Sequence, residues 1–485
     1  MHIHLLGVSG TGMGALAALL REAGHDVSGS DTSYDPPVGP ALRAIGVRCF
    51  EGYDPKHLDP RPDLVVVGNV IRRSNPEAQE VERLDLPRTS MSAALREQFL
   101  VKRRPLVVCG THGKTTTSAM CAHLLSRAGL QPGWFIGGIP KSLPGAAAIG
   151  RTKRSLTGDA GPAPFVVEGD EYDAVYWVKR PKFIDYVGVG ADDVVIVTSC
   201  EFDHVDIYPD VAAYEKAFVD LARAVPEGGL IVLDAHDARA REIVREHARA
   251  RVSFYALDGD DTGDVTPTWL GAVAPIDANG VQSFDLFVGG SSCGRFSLPV
   301  PGTHNIRNAI AAIASATEGF GVSERACRAA LATFGGVKRR QDLLGEPGGV
   351  RIYDDFAHHP TAVDETLRAL RARHPAGALW AVFEPRSATA TRSVHQAEYP
   401  RSFDAADHVL LAPLGRANVP ESERLDLERV AREIGPRAAV MGGVDAIVDR
   451  LAADARSGDT VAVLSNGVFG GVHEKLLRRL AARNV

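Results

Sequence analysis

Val107-Val108-Cys109-Gly110-Thr111-His112-Gly113-Lys114-Thr115-Thr116-Thr117 joins an apolar run, Leu106 to Cys109, to a helix-compatible run, Thr115 to Leu125. A buried strand that passes into a helix through spaced glycines makes a tight loop of phosphate size. Its backbone N–H groups converge on an anion at the positive end of the helix. Lys114 adds a mobile cation, and the Thr115 hydroxyl suits a Mg2+ position. The pattern is incomplete, because Val108 stands where the P-loop consensus has its first glycine. A glycine-rich turn carrying a solvated lysine is the alternative.

Upstream, a short strand from His2 to Leu6 runs into Gly7-Val8-Ser9-Gly10-Thr11-Gly12-Met13-Gly14, and the pattern predicts a helix from Ala15 to Ala23. Gly29-Ser30-Asp31 closes the next strand and sets a carboxylate where a dinucleotide fold places its ribose contact. The run Asp63 to Val67 ends in Gly68-Asn69-Val70, so this unit reads as a βαβ sheet with its loops gathered at the carboxyl edge. The glycine loop fits a dinucleotide, another nucleotide or a structural turn.

A length of 485 residues exceeds one hydrophobic core and suggests about three domains. Charged residues make up 24% with a net charge of −6, which gives no basic surface for nucleic acid. The six cysteines are scattered without metal-ligand spacing, as suits reduced thiols. Met1-His2-Ile3-His4 is not a secretory n-region and no apolar run approaches roughly 18 residues, so a cytoplasmic protein that does not touch the membrane is expected. Lys102-Arg103-Arg104-Pro105 reads as a first hinge with three solvated bases, and Phe334-Gly335-Gly336-Val337 as a second.

Between the hinges, Pro144 to Pro164 reads as a surface excursion, and strands at Phe165 to Val167, Val194 to Thr198 and Leu230 to Asp234 alternate with helices. Past an alanine-rich helix, Glu324 to Thr333, a third α/β unit has strands at Val350 to Tyr353, Leu379 to Phe383, His408 to Leu411 and Thr460 to Leu464. Alternation of this kind makes largely parallel sheets, whose loops meet in one crevice at the strands' carboxyl ends.

One of those loops is Glu168-Gly169-Asp170-Glu171-Tyr172-Asp173. Its four carboxylates repel one another unless a dication sits among them, or unless the loop is simply exposed. Another carries Asp203-His204-Val205-Asp206, where His204 is either a second metal ligand or a structural histidine. Pro301-Gly302-Thr303-His304-Asn305 begins a helix that Thr303 or Asn305 is suited to cap, and an asparagine amide also suits the edge of an adenine. In Asp354-Asp355-Phe356-Ala357-His358-His359-Pro360, adjacent histidines point apart, which argues against joint chelation. Asp355 is better used on ribose hydroxyls.

Taken together, Gly110-Thr-His-Gly-Lys-Thr-Thr116, Glu168-x-Asp-Glu171-x-Asp173, Asp203-His204-x-Asp206, Pro301-Gly-x-His-Asn-x-x-Asn308 and Asp354-Asp355-x-x-His-His-Pro360 resemble the Mur ligases, the ATP-dependent amide-forming enzymes of bacterial peptidoglycan synthesis. The likeness runs in order over nearly the whole chain. It implies an α/β protein of three domains: a Rossmann-like UDP-sugar-binding domain (1–104), a central P-loop ATPase-type parallel-sheet domain (105–334) and a Rossmann-like C-terminal peptide-binding domain (335–485). Two branches of the family accept UDP-N-acetylmuramate, one adding L-alanine and one adding an intact recycled tripeptide. Glu201-Phe-Asp-His-Val-Asp-Ile-Tyr208, Phe383-Glu-Pro-Arg-Ser387 and Leu464-Ser-Asn-Gly-Val-Phe-Gly-Gly471 look like the tripeptide branch. Two departures stand out. The asparagine often found before Asp-His is replaced around Thr198-Ser199, and Phe218 stands where several members carbamylate a lysine, with Lys216 two places off.

The resemblance further implies ATP and Mg2+ as cofactors. Gly110, Thr111, His112, Gly113, Lys114, Thr115 and Thr116 would hold the phosphates. Arg340 would reach them too, His304 and Asn305 would face adenine, and Asp355 the ribose. Thr115 and Glu171 would hold one Mg2+ and His204 another, with Lys114, Glu171 and His204 catalytic. Gly7, Ser9, Gly10, Thr11, Gly12, Met13, Ser30, Asp31 and Asn69 would bind the UDP-sugar, and Arg386, Ser465 and Asn466 the peptide. The partners implied are UDP-N-acetylmuramate and the peptide, with the chain a monomer or weak homo-oligomer. A nicotinamide-dependent oxidoreductase built on the first glycine loop, or a nucleotide-binding module without catalysis, are the rival classes.

Overall fold

In the computed structural model, which describes residues 1–35, 38–151, 161–277, 279–416 and 419–482, three large sheets follow one another along the chain, with a two-stranded antiparallel ribbon, Asp173–Val175 and Val178–Pro181, beside them. The first is fully parallel, in the spatial order Arg48–Glu51, Asp26–Asp31, His2–Leu6, Leu64–Val67, Arg88–Ser90. Its order reverses beside His2–Leu6, so the crevice for a ligand opens where Gly7 leaves that strand. The helix there begins at Thr11, earlier than the sequence suggests, and runs to Glu22. Gly7 takes φ +82°, and Ser9 N–H donates to Asp31 Oδ2 at 2.7 Å, so the carboxylate shapes the glycine loop.

The central sheet has ten strands, in the order Ser291–Leu298, Gln282–Val288, Trp269–Val273, Arg251–Leu257, Leu230–Asp234, Val194–Val197, Arg104–Cys109, Pro164–Glu168, Gly133–Phe135, Ala147–Ala148. Its middle is parallel and its two edges are antiparallel. Leu106, Val107, Val108, Val194, Val195 and Ile196 are wholly buried between helices on both faces, as an all-parallel core requires. The excursion expected over Pro144 to Pro164 supplies the edge strand Ala147–Ala148, while 152–160 lie outside the described residues.

Of the three bases expected to be a solvated hinge, Lys102 is exposed in a turn and the other two are not. Arg103 is buried, lays its guanidinium over the Phe165 ring and donates to Ile149 O at 2.7 Å. Arg104 and Pro105 belong to the strand Arg104–Cys109. A long side chain with an apolar stem satisfies its charge on backbone carbonyls while the stem packs. At the second expected hinge, Phe334 and Val337 are buried, and Lys141 N–H and Lys338 N–H bond the carbonyls of Gly336 and Ile139.

The third sheet runs Asp342–Gly345, Arg351–Asp355, Thr460–Leu464, Leu379–Phe383, His408–Leu411, Ala438–Val440, parallel except for the first pair. Its loops reach back to the central sheet, so the carboxyl edges of the two face each other. Among the described residues, no helix is long and apolar enough to cross a membrane.

Candidate functional site

The strand Arg104–Cys109 ends in Gly110 at φ +123°, and the helix Lys114–Arg127 starts from Gly113 at φ +77°. A Cβ on Gly110 would sit 2.2 Å from Thr198 Oγ1, so only glycine fits there. Thr198 and Ser199 brace the loop from the neighbouring strand. Thr198 Oγ1 donates to His112 O at 2.6 Å, Ser199 Oγ accepts from His112 N–H at 3.1 Å, and Ser199 O accepts from Thr111 N–H at 3.1 Å. Thr198 and Ser199, where the resemblance expects an asparagine, therefore hold the glycine loop in shape.

Lys114 Nζ lies 2.8 Å from Glu171 Oε1 and also donates to Gly110 O at 2.6 Å. Burial pulls the Lys114 ammonium down, but the Glu171, Glu168 and Asp170 carboxylates together outweigh it and hold the pKa above the usual lysine value. Glu171 is 1% exposed, and its Oε2 has no hydrogen-bond partner among the described residues. That oxygen lies 3.6 Å from His204 Nε2. His204 adopts φ +59°, a left-handed conformation rare for a side chain with a Cβ and typical of functional sites. Burial lowers the His204 pKa, but Glu171 and Asp203 together raise it.

The carboxylate cluster differs from the sequence reading in one respect. Each acid already has an internal partner, so repulsion alone does not demand a metal. Glu168 accepts from Thr115 Oγ1 at 2.8 Å and Gly137 N–H at 2.6 Å, Asp170 pairs with Lys182 at 2.7 Å, and Asp173 with Lys179 at 2.9 Å. Burial works to raise the Asp170 pKa, yet Lys182 brings it to about 2. The orphaned Glu171 Oε2 beside His204 Nε2 offers a carboxylate oxygen and an imidazole, with no thiolate, to a dication, while the Thr115 hydroxyl is bonded to Glu168. Lys216 is exposed and paired with Asp220, while Phe218 packs in the core against Phe183 and Tyr214.

Residues from the third unit complete the crevice. Thr389 Oγ1 accepts from His204 N–H at 3.1 Å, and Thr361 Oγ1 donates to Glu201 at 2.9 Å. His358 Nε2 lies 4.0 Å from Asp203, while His359 Nε2 lies 3.9 Å from Glu201, so the two histidines do diverge. Thr361 and Thr389 carried no sequence signal, because each contact crosses between units.

The helix Thr303–Ala314 is capped at Gly302 with no side-chain bond, which overturns the capping expected of Thr303 or Asn305. Thr303 is already helical, and the Asn305 amide donates to Pro301 O at 2.8 Å. His304 Nε2 lies 3.2 Å from the Gln341 amide, which brings it beside Arg340, whose guanidinium covers the Phe356 ring. Asp355 is buried, with its oxygens accepting from Gln341 N–H at 2.6 Å and Ala357 N–H at 2.8 Å. In this arrangement its carboxylate fixes two loops of the third unit.

Arg386 stands 3.6 Å from Glu384, Ser465 Oγ donates to the same carboxylate, and Asn466 Oδ1 is buried without a partner among the described residues. These three predicted residues come together. Gly7, Ser9, Gly10, Thr11, Gly12, Met13, Ser30, Asp31 and Asn69 lie apart from them, on the carboxyl edge of the first sheet. Beneath it, buried Glu77 pairs with His4 at 3.2 Å and His57 at 2.7 Å, a network with no sequence signal.

Residues 2–103 match a family model described as Mur ligase family, catalytic domain, residues 108–316 the Mur ligase middle domain, and residues 339–467 the Mur ligase, glutamate ligase domain. The chain is 36% identical over 484 residues to UDP-N-acetylmuramate–L-alanyl-γ-D-glutamyl-meso-2,6-diaminoheptandioate ligase of Escherichia coli, covering 100% of this chain and 99% of that one. It is 34% identical to a UDP-N-acetylmuramate–L-alanine ligase of Chloroflexus aggregans, over 99% of this chain and 98% of the other. A murein peptide ligase from Psychrobacter arcticus superposes with a TM-score of 0.73 at 33% identity, over 99% of both chains.

Proposed function

The chain belongs to the Mur ligase family, and from that premise we propose that it joins the lactyl carboxylate of UDP-N-acetylmuramate to the free amine of L-alanyl-γ-D-glutamyl-meso-diaminopimelate, with ATP as the energy source. Full-length likeness to the tripeptide ligase, together with the Lys114–Glu171–His204 crevice, carries this reading. The dinucleotide use of the first glycine loop gives way to the UDP moiety, since that loop lies within the segment matched by the family model.

Lys114 grips the β- and γ-phosphates while the loop N–H groups from Gly110 to Thr116 cradle them. Thr115 and Glu171 would hold one Mg2+ and His204 a second, and these ions would supply the positive charge that neutralises the carboxylate and the γ-phosphate. A lactyl oxygen attacks the γ-phosphorus in line, the bond to the ADP oxygen breaks, and an acyl phosphate forms. The peptide amine then adds to that carbonyl carbon and loses its proton, the tetrahedral intermediate expels phosphate, and an amide remains. Positioning is the larger part of the catalysis, with roughly 7–11 kcal/mol available from oriented reactants.

Gly7, Ser9, Gly10, Thr11, Gly12, Met13, Ser30, Asp31 and Asn69 take the UDP-sugar. His304 and Asn305 face adenine, Arg340 the phosphates and Asp355 the ribose, the last by exchanging a backbone N–H for a hydroxyl. Arg386, Ser465 and Asn466 receive the peptide. The units 1–104, 105–334 and 335–485 thus divide sugar, nucleotide and peptide among them. We place the reaction in the cytoplasm, where ATP and reduced thiols prevail, as a step of peptidoglycan recycling. The test offers UDP-N-acetylmuramate, ATP and Mg2+ with either the tripeptide or L-alanine. The proposal expects kcat/KM to favour the tripeptide, and faster turnover with alanine would move the chain to the other branch.

A further inference from the structure

The carboxyl edges of the central and third sheets hold a second cluster of ligating side chains. His112 Nε2 lies 2.8 Å from Glu201 Oε2, and His359 Nε2 lies 3.9 Å from Glu201 Oε1. One ligand atom from each of His112, Glu201 and His359 falls within 4.8 Å of the other two. Bonds of about 2.1 Å to a tetrahedral ion place ligands roughly 3.4 Å apart, so small side-chain rotations close the set. His359 is 4% exposed, and its Nε2 has no hydrogen-bond partner among the described residues although it faces this carboxylate. The His359 and His112 rings stand 4.7 Å apart, and the His395 ring packs edge-on against His359 at 4.4 Å.

We propose that His112, Glu201 and His359 form a cation site of their own, distinct from the Glu171–His204 pair, that takes a borderline transition-metal dication such as Zn2+ or Co2+ and ties the phosphate loop to the third unit. Two imidazoles and one carboxylate select such ions over Mg2+, which prefers oxygen ligands and keeps its water. His359 Nδ1 accepts from Thr361 N–H at 3.4 Å, which leaves Nε2 as the nitrogen available for ligation. Because His112 belongs to the phosphate loop and His359 caps the helix Pro360–Arg373, a bound ion opposes separation of the two units.

Co2+ reports the site directly by its visible d–d absorption, titrated into the full chain under excess Mg2+ and without substrates, so the outcome does not depend on the ligase reading. One Co2+ should bind with imidazole-type bands and raise the melting temperature. Glu201→Gln, which keeps the bonds to His112 and Thr361, and His359→Ala should each weaken binding about tenfold or more. Unchanged affinity in both variants overturns the proposal. So does loss of the bands in His204→Ala alone, which assigns the ion to the Glu171–His204 pair.

Discussion

Lys114 and Glu171 hold opposite charges 2.8 Å apart in a crevice where the acid is 1% exposed, so neither can be removed alone without stranding the other. Lys114→Ala is expected to lower turnover by about 10²-fold or more through lost phosphate stabilisation. It is also expected to destabilise the ligand-free chain by about 3–5 kcal/mol. Adding Glu171→Gln should restore most of the stability and none of the activity, a separation readable by denaturant melts and phosphate release. Gly110 is held as tightly by geometry. A methyl group there meets Thr198 Oγ1 and demands φ +123°, so Gly110→Ala should destabilise by roughly 2–5 kcal/mol in the same melts. Both residues were legible in the sequence, because glycine spacing and a following lysine encode loop chemistry locally. Thr361, Thr389 and the Glu77 network were not, since their partners lie 160, 185 and 73 residues away along the chain.

Among the elements, parallel strands are legible in the sequence because continuous apolar runs have few other uses. Leu230–Asp234, Leu379–Phe383, His408–Leu411 and Thr460–Leu464 fall where the pattern put them. The antiparallel edge from Trp269 to Leu298 carries a weaker signal, although Gln282–Val288 alternates buried and partly exposed residues as a half-covered strand does. The helix that leaves the phosphate loop is pinned by His123, 3% exposed, whose Nε2 lies 2.9 Å from Ala330 O. Burial depresses the His123 pKa below its usual 6.5, so the ring is neutral when folded. Its contribution is complete above pH 6.5 and is lost as pH falls below it, because only the unfolded chain binds the proton. Stability should therefore decline on acidification from pH 6.5, and His123→Gln should flatten that decline by up to about 1.4 kcal/mol per pH unit.

At the scale of the molecule, the crevice proposed for the nucleotide is assembled from two units, and Thr361 and Thr389 fasten the third unit to Glu201 and His204. Losing both hydrogen bonds shifts the balance toward separated units by about 1–2 kcal/mol, which reduces the fraction able to bind ATP. The double variant Thr361→Val, Thr389→Val should raise KM for ATP, by up to roughly 5- to 30-fold, with kcat nearly unchanged at saturation. An equal fall in kcat would place these residues in the chemical step instead. The central claim, that this crevice phosphorylates a sugar carboxylate before an amine attacks it, is tested by labelling the lactyl carboxylate of UDP-N-acetylmuramate with 18O and analysing the phosphate released with ATP, Mg2+ and tripeptide. Transfer of a single 18O to phosphate for each amide formed is the predicted result, and unlabelled phosphate would contradict it.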